Sequence, residues 1–340
     1  MQQPSGRRKP ELVCPAGSLR ALQLAVDAGA DAVYLGLRNQ TNARAFAGLN
    51  FDDAQLREGV RYAHARGAKV LMALNTFAAA DEPQPWFDAV ERAAGLGADA
   101  LIVADSAVLG YAHRHHPQLR LHLSVQASAT SYAAIEYYRQ RYGIQRAVLP
   151  RVLTLSQVAH VARNTSAEVE VFGFGSLCVM VEGRCALSSY ATGCSPNNAG
   201  VCSPAAAVRW AERDDGSVDA RLGGVLIDRY APGEARGYPT LCKGRFEVDG
   251  RRGYTLEEPT SLNTLELLPQ LIEHGIAAIK IEGRQRSAQY VAEVTRVWRE
   301  AIDSAATDPR YAVRDAWTAQ LARWAEGQQH TLGAYDRPWR

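Results

Sequence analysis

The chain has 340 residues, 47% hydrophobic and 22% charged, with a formal net charge of +2. Those values describe a globular protein with one large domain and an insertion, or two ordinary domains, and they argue against a broad nucleic-acid-binding face. No stretch approaches the roughly 18 to 20 apolar residues of a membrane-spanning helix, and the polar, basic residues 1–10 do not read as a secretory leader, so a cytoplasmic setting that keeps thiols reduced is expected.

From Glu11 one pattern repeats: a short apolar, β-branched run, then an amphipathic helical stretch. The strand-like runs are 12–15, 32–37, 69–75, 100–105, 119–126, 146–150 and 169–174, with helical patterns such as 19–28, 52–65, 85–94 and 131–142 between them. Gly29-Ala30-Asp31 and Gly97-Ala98-Asp99 supply glycine stops directly before the next strand. An eighth strand, 277–282, follows the helix-like 262–274, and 286–305 reads as a closing helix. Near-continuous apolar strands alternating with helices imply a parallel sheet. Eight units over 1–175 and 261–305 predict a (β/α)8 TIM-like barrel, with an open doubly wound sheet as the rival.

Residues 176–260 break the repeat and read as a cysteine-bearing insertion between strands seven and eight. It contains a hairpin-like stretch that turns at Asp249-Gly250. Residues 306–340 form a C-terminal extension expected to pack on the outside.

A barrel of this kind carries its chemistry at the carboxyl ends of the strands. Asn75, Asp105, Gln126 and Arg151 lie at such ends. Alternation along strand eight puts Lys280 and Glu282 on one side, with Arg284 just beyond, and Arg44 on the loop after strand two is a further candidate anion ligand. The plainer reading of these side chains is an ion-pair network filling a polar barrel interior or, for Arg44, a solvated loop arginine. His113, His115 and His116 lie near a helix end and read as a solvated face.

The cysteines run Cys178-x6-Cys185-x16-Cys202-x39-Cys242, with Cys14 and Cys194 outside that series. The tight C-x2-C pairs of structural zinc are absent, as are the ferredoxin run C-x2-C-x2-C and the C-x3-C-x2-C loop of radical S-adenosylmethionine enzymes. Wide spacing from loops is compatible with a [4Fe–4S] cluster, but zinc and unrelated buried thiols remain open on spacing alone. A cluster with four cysteine ligands has no free iron site, which leaves it electron transfer or local structure as its work.

Glu170, Phe172, Gly175-Ser-Leu-Cys178, Gly183, Cys185 and Leu187-Ser188 match the signature E-x-F-x-x-G-[S/A]-L-C, four residues, G-x-C-x-L-S. By that match the chain resembles the collagenase-like peptidase family of unassigned catalytic class. Cys14-Pro-Ala-Gly17, Gly29-Ala-Asp-Ala-Val-Tyr34, Thr41-Asn-Ala-Arg44, Ser124-Val-Gln-Ala-Ser128 and Lys280-Ile-Glu-Gly-Arg284 look like the same family's barrel landmarks. Other stretches are similar to its ubiquinone-biosynthesis branch: Phe46-Ala-Gly-Leu-Asn-Phe51, Val148-Leu-Pro-Arg-Val152, Cys202-Ser-Pro-Ala205, Tyr238-Pro-Thr-Leu-Cys-Lys-Gly244, 256–265 and Thr331-Leu-Gly-Ala-Tyr335.

The resemblance implies one [4Fe–4S] cluster on Cys178, Cys185, Cys202 and Cys242, with Cys194 a bystander and Cys14 in no ligand pattern. It implies oxygen-independent hydroxylation of the ubiquinone ring, carried out in a heterodimer with a related iron–sulfur protein. A lipid-binding accessory protein presents the prenylated precursor, and prephenate is the implied small-molecule oxygen donor. Hydroxylation of an RNA pyrimidine and proteolysis are the rival activities. Neither H-E-x-x-H nor G-x-S-x-G occurs to support proteolysis.

Overall fold

The computed structural model describes residues 9–178, 180, 185–196 and 200–336. The signature's Gly183, and residues 1–8 of the segment read as no leader, lie outside the described residues.

Strands β1 (Glu11–Pro15), β2 (Ala32–Leu35), β3 (Lys69–Leu74), β4 (Ala100–Val103), β5 (Arg120–Leu123), β6 (Arg146–Val148) and β7 (Glu168–Ser176) pair in parallel, each with the next. The strand Ala278–Ile281 pairs in parallel with both β1 and β7. That double pairing closes eight strands into a (β/α)8 barrel and excludes the open sheet.

Local chemistry sets the frame. The helices α1 (Leu19–Asp27), α2 (Asp53–His64), α3 (Gln84–Gly95), α4 (Ser106–His115), α5 (Tyr132–Tyr142) and α6 (Leu155–Asn164) alternate with β1–β7. Ser18, Asp52, Asp105, Ser131 and Thr154 accept first-turn amides at five of their N-termini, and Asp52 and Thr154 do so in full capping boxes. The Gly-Ala-Asp stops have a second use: Asp31 accepts the Leu12 amide and Asp99 the Val70 amide, each at 2.7 Å, tying every such helix stop to the preceding strand. Asp105 therefore serves as a helix cap, and it also accepts the Ala78 amide at 3.1 Å; it does not line the cavity described below, contrary to its reading as a strand-end site residue.

The insertion begins with α7 (Ala186–Thr192) and continues as a three-stranded antiparallel sheet of β8 (Val208–Glu212), β9 (Val218–Leu222) and β10 (Val225–Tyr230). The expected hairpin forms from β11 (Arg245–Val248) and β12 (Arg251–Tyr254), with Asp249 and Gly250 both at positive φ as a two-residue hairpin turn demands. The segment 262–274 is not one helix. β13 (Ser261–Asn263) pairs antiparallel with the end of β7, and a 3-10 turn at Leu265–Leu267 then leads into the helix α8 (Leu268–Glu273) before the closing strand β14 (Ala278–Ile281). The closing helix α9 (Ala288–Thr307) buries Trp298 completely against β7, where a Cβ on Gly173 would stand 2.8 Å from the indole ring.

The tail does not simply pack outside. After α10 (Asp315–Ala322) it returns to the barrel mouth, where β15 (His330–Thr331) pairs in parallel with β13 and Tyr335 packs against Val148, Phe172 and Leu262. No helix among the described residues is long and apolar enough to cross a membrane.

Candidate functional site

Gly175 sets the exit from β7. Its φ is +122°, and an added Cβ would fall 2.7 Å from the Cβ of Glu282 and 2.9 Å from its carbonyl oxygen. Only glycine lets β7 and the end of β14 approach this closely, which brings the Cys178 loop and the Lys280–Arg284 segment to one mouth.

There an open cavity enters the barrel. Arg44, Asn75, Gln126, Arg151, Lys280 and Glu282 all face it, and so does Arg284. Asn75 Oδ1 accepts the Ala43 amide at 3.0 Å and Asn75 Nδ2 reaches the Ser124 hydroxyl at 3.4 Å, fixing the Arg44 loop to the rim. Arg44 Nη2 lies 3.7 Å from Glu282, and Arg151 stacks at 4.4 Å over the Phe172 ring while donating to the Ser176 carbonyl. Lys280 sits deeper, donating to Glu170 Oε1 at 2.7 Å, with Nζ 3.9 Å over the Tyr34 ring.

Arg284 is the unusual cation. It is buried, its Nη1 donates to Asn42 Oδ1 at 3.1 Å, and no carboxylate among the described residues stands within ion-pair distance. Burial pulls its guanidinium down to about 10, so it stays charged at neutral pH. Glu282 favours its charge only from beyond ion-pair distance; a buried cation so weakly paired is costly, and an anion in the cavity would compensate it.

Beneath the cavity the barrel interior holds a charge network that strand alternation alone did not reveal. Arg146 contacts Glu11 and Glu168 at 2.7 Å and Glu170 at 3.2 Å, while Lys69 and Arg120 bracket the same acids. Lys280 thus belongs both to this network and to the cavity floor. Burial opposes ionisation of Glu170, but Lys280 and Arg146 overcome it and hold the carboxyl below its ordinary range. Asn42, Tyr34 and Glu170 stand in motifs quoted above but carried no site role there, and His122 was not singled out. The available signal was polar side chains at every second position, Arg120 and His122 in β5 and Glu168 and Glu170 in β7, within runs read as apolar.

His122 is buried with neither ring nitrogen hydrogen-bonded, and burial and then Arg146 push it well below 6.5. The unfolded chain therefore binds the extra proton first, and stability contributed by neutral His122 is lost as pH falls below 6.5. We expect His122→Asn to flatten the pH dependence of denaturant unfolding between pH 7 and about pH 5; an unchanged slope would remove His122 from this role.

Three of the sequence-predicted thiols, Cys178, Cys185 and Cys202, line the cavity wall. Cys242 is half-buried behind them, close enough to Cys178 and Cys202 for each to raise its thiol electrostatically; burial adds the larger share and brings it to about 11. Burial pushes the Cys202 thiol up as well, and the nearby cations Arg44 and Lys243 offset that only in part. The Ser188 amide, belonging to the signature serine, donates to Cys185 Sγ at 3.4 Å. Cys194 is exposed and off the cavity wall, and Cys14 is buried in β1 under the Thr295 hydroxyl.

Among the described residues, no three histidine, cysteine or acidic donors are drawn together as a single metal ion requires. The donor chemistry nevertheless fits a larger iron–sulfur group: four thiols outside any disulfide, cations nearby, and a backbone donor to sulfur. Ser176 donates to Glu326, and no hydrogen bond joins it to a histidine, so the described residues assemble no serine–histidine pair there.

The family model described as Peptidase family U32 matches residues 17–336. The chain is 30% identical over 319 residues to tRNA hydroxylation protein P1 of Bacillus subtilis, an alignment covering 94% of this chain and 69% of that protein. It is 30% identical over 322 residues to tRNA hydroxylation protein P of Escherichia coli, covering 88% and 69%. A collagenase of Porphyromonas gingivalis is 27% identical over 306 residues, covering 86% and 66%. The chain belongs to peptidase family U32, the collagenase-like family.

Proposed function

We propose that this chain is the iron–sulfur subunit of an oxygen-independent hydroxylase of the ubiquinone ring, corresponding to UbiU and acting in a heterodimer with a UbiV-like iron–sulfur partner. The observation that carries the reading is one cavity lined by three of the four signature-region thiols and by Arg44, Arg151, Lys280 and Arg284, with Glu282 the one carboxylate among the described lining residues. In this reading Cys178, Cys185, Cys202 and Cys242 hold a [4Fe–4S] cluster. Such a cluster supplies one-electron transfer when bound. The protein's own residues do the rest: the cationic wall orients an anionic oxygen donor of the prephenate type, and the open mouth admits a ring presented by a lipid-binding accessory protein.

A second reading, hydroxylation of an RNA pyrimidine, is favoured by the chain's similarity to tRNA hydroxylation proteins of several bacteria. Both readings are separated by one experiment. A deletion strain grown without oxygen is assayed for quinone intermediates and, in parallel, for hydroxylated nucleosides in its RNA. Accumulation of under-hydroxylated quinone precursors supports the first reading; normal quinone with missing hydroxylated pyrimidine replaces it with the second.

The anion assignment makes its own prediction. Arg284→Ala should raise the apparent KM for the donor roughly 10- to 100-fold, the worth of a charged hydrogen bond. Resistance to unfolding should not fall, because an unpaired buried charge is removed. An unchanged KM would exclude Arg284 from donor binding.

A further inference from the structure

Glu326, in the tail after α10, joins three distant parts of the chain at the barrel mouth. Its Oε1 accepts the Ser176 hydroxyl, its Oε2 accepts Lys243 Nζ, and its backbone amide donates to Ser261 Oγ at 2.9 Å. Ser176 lies two residues before Cys178, and Lys243 directly follows Cys242. One carboxylate therefore ties the approach to the first cysteine to the residue beside the last.

The surroundings restrict that carboxylate to this place. Ser261 is in register with Ser176 across β13 and β7, so the Glu326 amide and side chain grip two adjoining strand ends. The next residue, Gly327, has φ of +59°, and a Cβ there would stand 2.2 Å from the Pro259 carbonyl oxygen. The tail is thus threaded against the 256–261 segment before it enters β15. On the opposite side Arg151 holds the Ser176 carbonyl. The Lys243–Glu326 pair is mostly buried, with side chains 14% and 23% exposed, so the contact is shielded more than a surface ion pair.

From this geometry we infer that Glu326 is a positioning residue for the thiol site: it sets the separation of the Cys178 and Cys242 loops and so governs how firmly an iron–sulfur group is retained. The inference rests on the reading of Cys178, Cys185, Cys202 and Cys242 as ligands. Partners outside the ligand shell that fix ligand orientation typically change metal affinity by roughly 10- to 100-fold. Glu326 reaches two ligand loops at once, through Ser176 and through Lys243.

The test uses the full chain purified without oxygen. Wild type, Glu326→Ala, Glu326→Gln, Lys243→Met and the double variant Glu326→Ala/Lys243→Met are compared. The measured quantities are the rate of iron loss to a chelator, the electron paramagnetic resonance spectrum of the reduced protein, and amide hydrogen exchange at 176–178 and 241–244. Glu326→Ala should lose iron roughly 10-fold faster or more, with an altered resonance spectrum and faster exchange confined to those two segments. Glu326→Gln, which keeps an acceptor for Ser176, should recover part of the retention. The double variant should be no worse than Glu326→Ala alone, because both changes cut the same tie.

Iron retention, spectrum and exchange in Glu326→Ala all equal to wild type would overturn the inference while leaving the cluster reading intact. If Glu326→Ala unfolds globally, Lys243→Met and Glu326→Gln decide: wild-type retention in both overturns the inference. A wild-type protein without iron overturns the cluster reading, and the inference with it.

Discussion

Serine in place of any one of Cys178, Cys185, Cys202 or Cys242 should strip most of the iron from anaerobically prepared protein, whereas Cys194→Ser should leave iron content and visible absorption unchanged. The physical reason is ligand geometry and softness: thiolates select iron–sulfur clusters, and a hydroxyl oxygen at the same place is a poor replacement. The contrast with Cys194 makes the expectation specific. Cys178, Cys185 and Cys202 share the cavity wall and Cys242 feels two of them, while Cys194 is exposed and contacts Thr192 instead. Iron and sulfide analysis of the five variants checks this. Equal loss in Cys194→Ser, or no loss in one of the four, would redraw the ligand set.

Glu170→Ala should be the most damaging single change in the barrel interior. Glu170 is fully buried and accepts from Lys280 at 2.7 Å and from Arg146 at 3.2 Å. Alanine leaves Lys280 with no remaining acceptor among the described residues and Arg146 one carboxylate short, and breaking a buried pair in this way costs about 3–5 kcal/mol. Arg146 keeps Glu11 and Glu168, so the cost concentrates on Lys280, which burial already makes easier to deprotonate. Denaturant titration of Glu170→Ala against Glu170→Ala/Lys280→Met checks the assignment. Removing the orphaned cation should recover part of the loss; a double variant less stable by the sum of the single effects would mean that the pair is not coupled.

These expectations trace back to features of the chain that differ in how locally they are encoded. The barrel was readable because each β/α unit carries its own signals. Apolar runs alternate with amphipathic ones, and Gly29-Ala30-Asp31 and Gly97-Ala98-Asp99 mark helix stops whose aspartates also cap strand amides. Asp249-Gly250 announced its hairpin in the same local way. Asp105 was misread because two local signals compete at that position, a strand end and a helix N-cap, and the unpaired first-turn amides of α4 claim the carboxylate.

The rest depends on partners far away in sequence. Residues 262–263 look helical by pattern, but β7 extends past the barrel and offers an edge that they pair with, so the helical turns begin only at Leu265. The return of the tail to β13 involves only two paired residues and leaves no periodic trace. The Arg146–Glu170–Lys280 network joins strands six, seven and eight of the barrel and becomes visible only when closure brings them together. At the mouth, Arg44, Asn75, Gln126, Arg151, Lys280, Glu282 and Arg284 line one cavity, because a barrel presents all its carboxyl ends on one side. The strand-end rule could not rank them. That Arg284, among the described residues, has an amide partner while Lys280 has a carboxylate is decided by Asn42 and Glu170, contributed by other strands and loops.

The most direct test of the iron–sulfur reading is chemical analysis of the chain expressed and purified without oxygen, together with its candidate iron–sulfur partner and alone. The account predicts a brown protein with about four iron and about four sulfide per chain, bleached by air. A colourless protein, or one that carries zinc in place of iron, would contradict it.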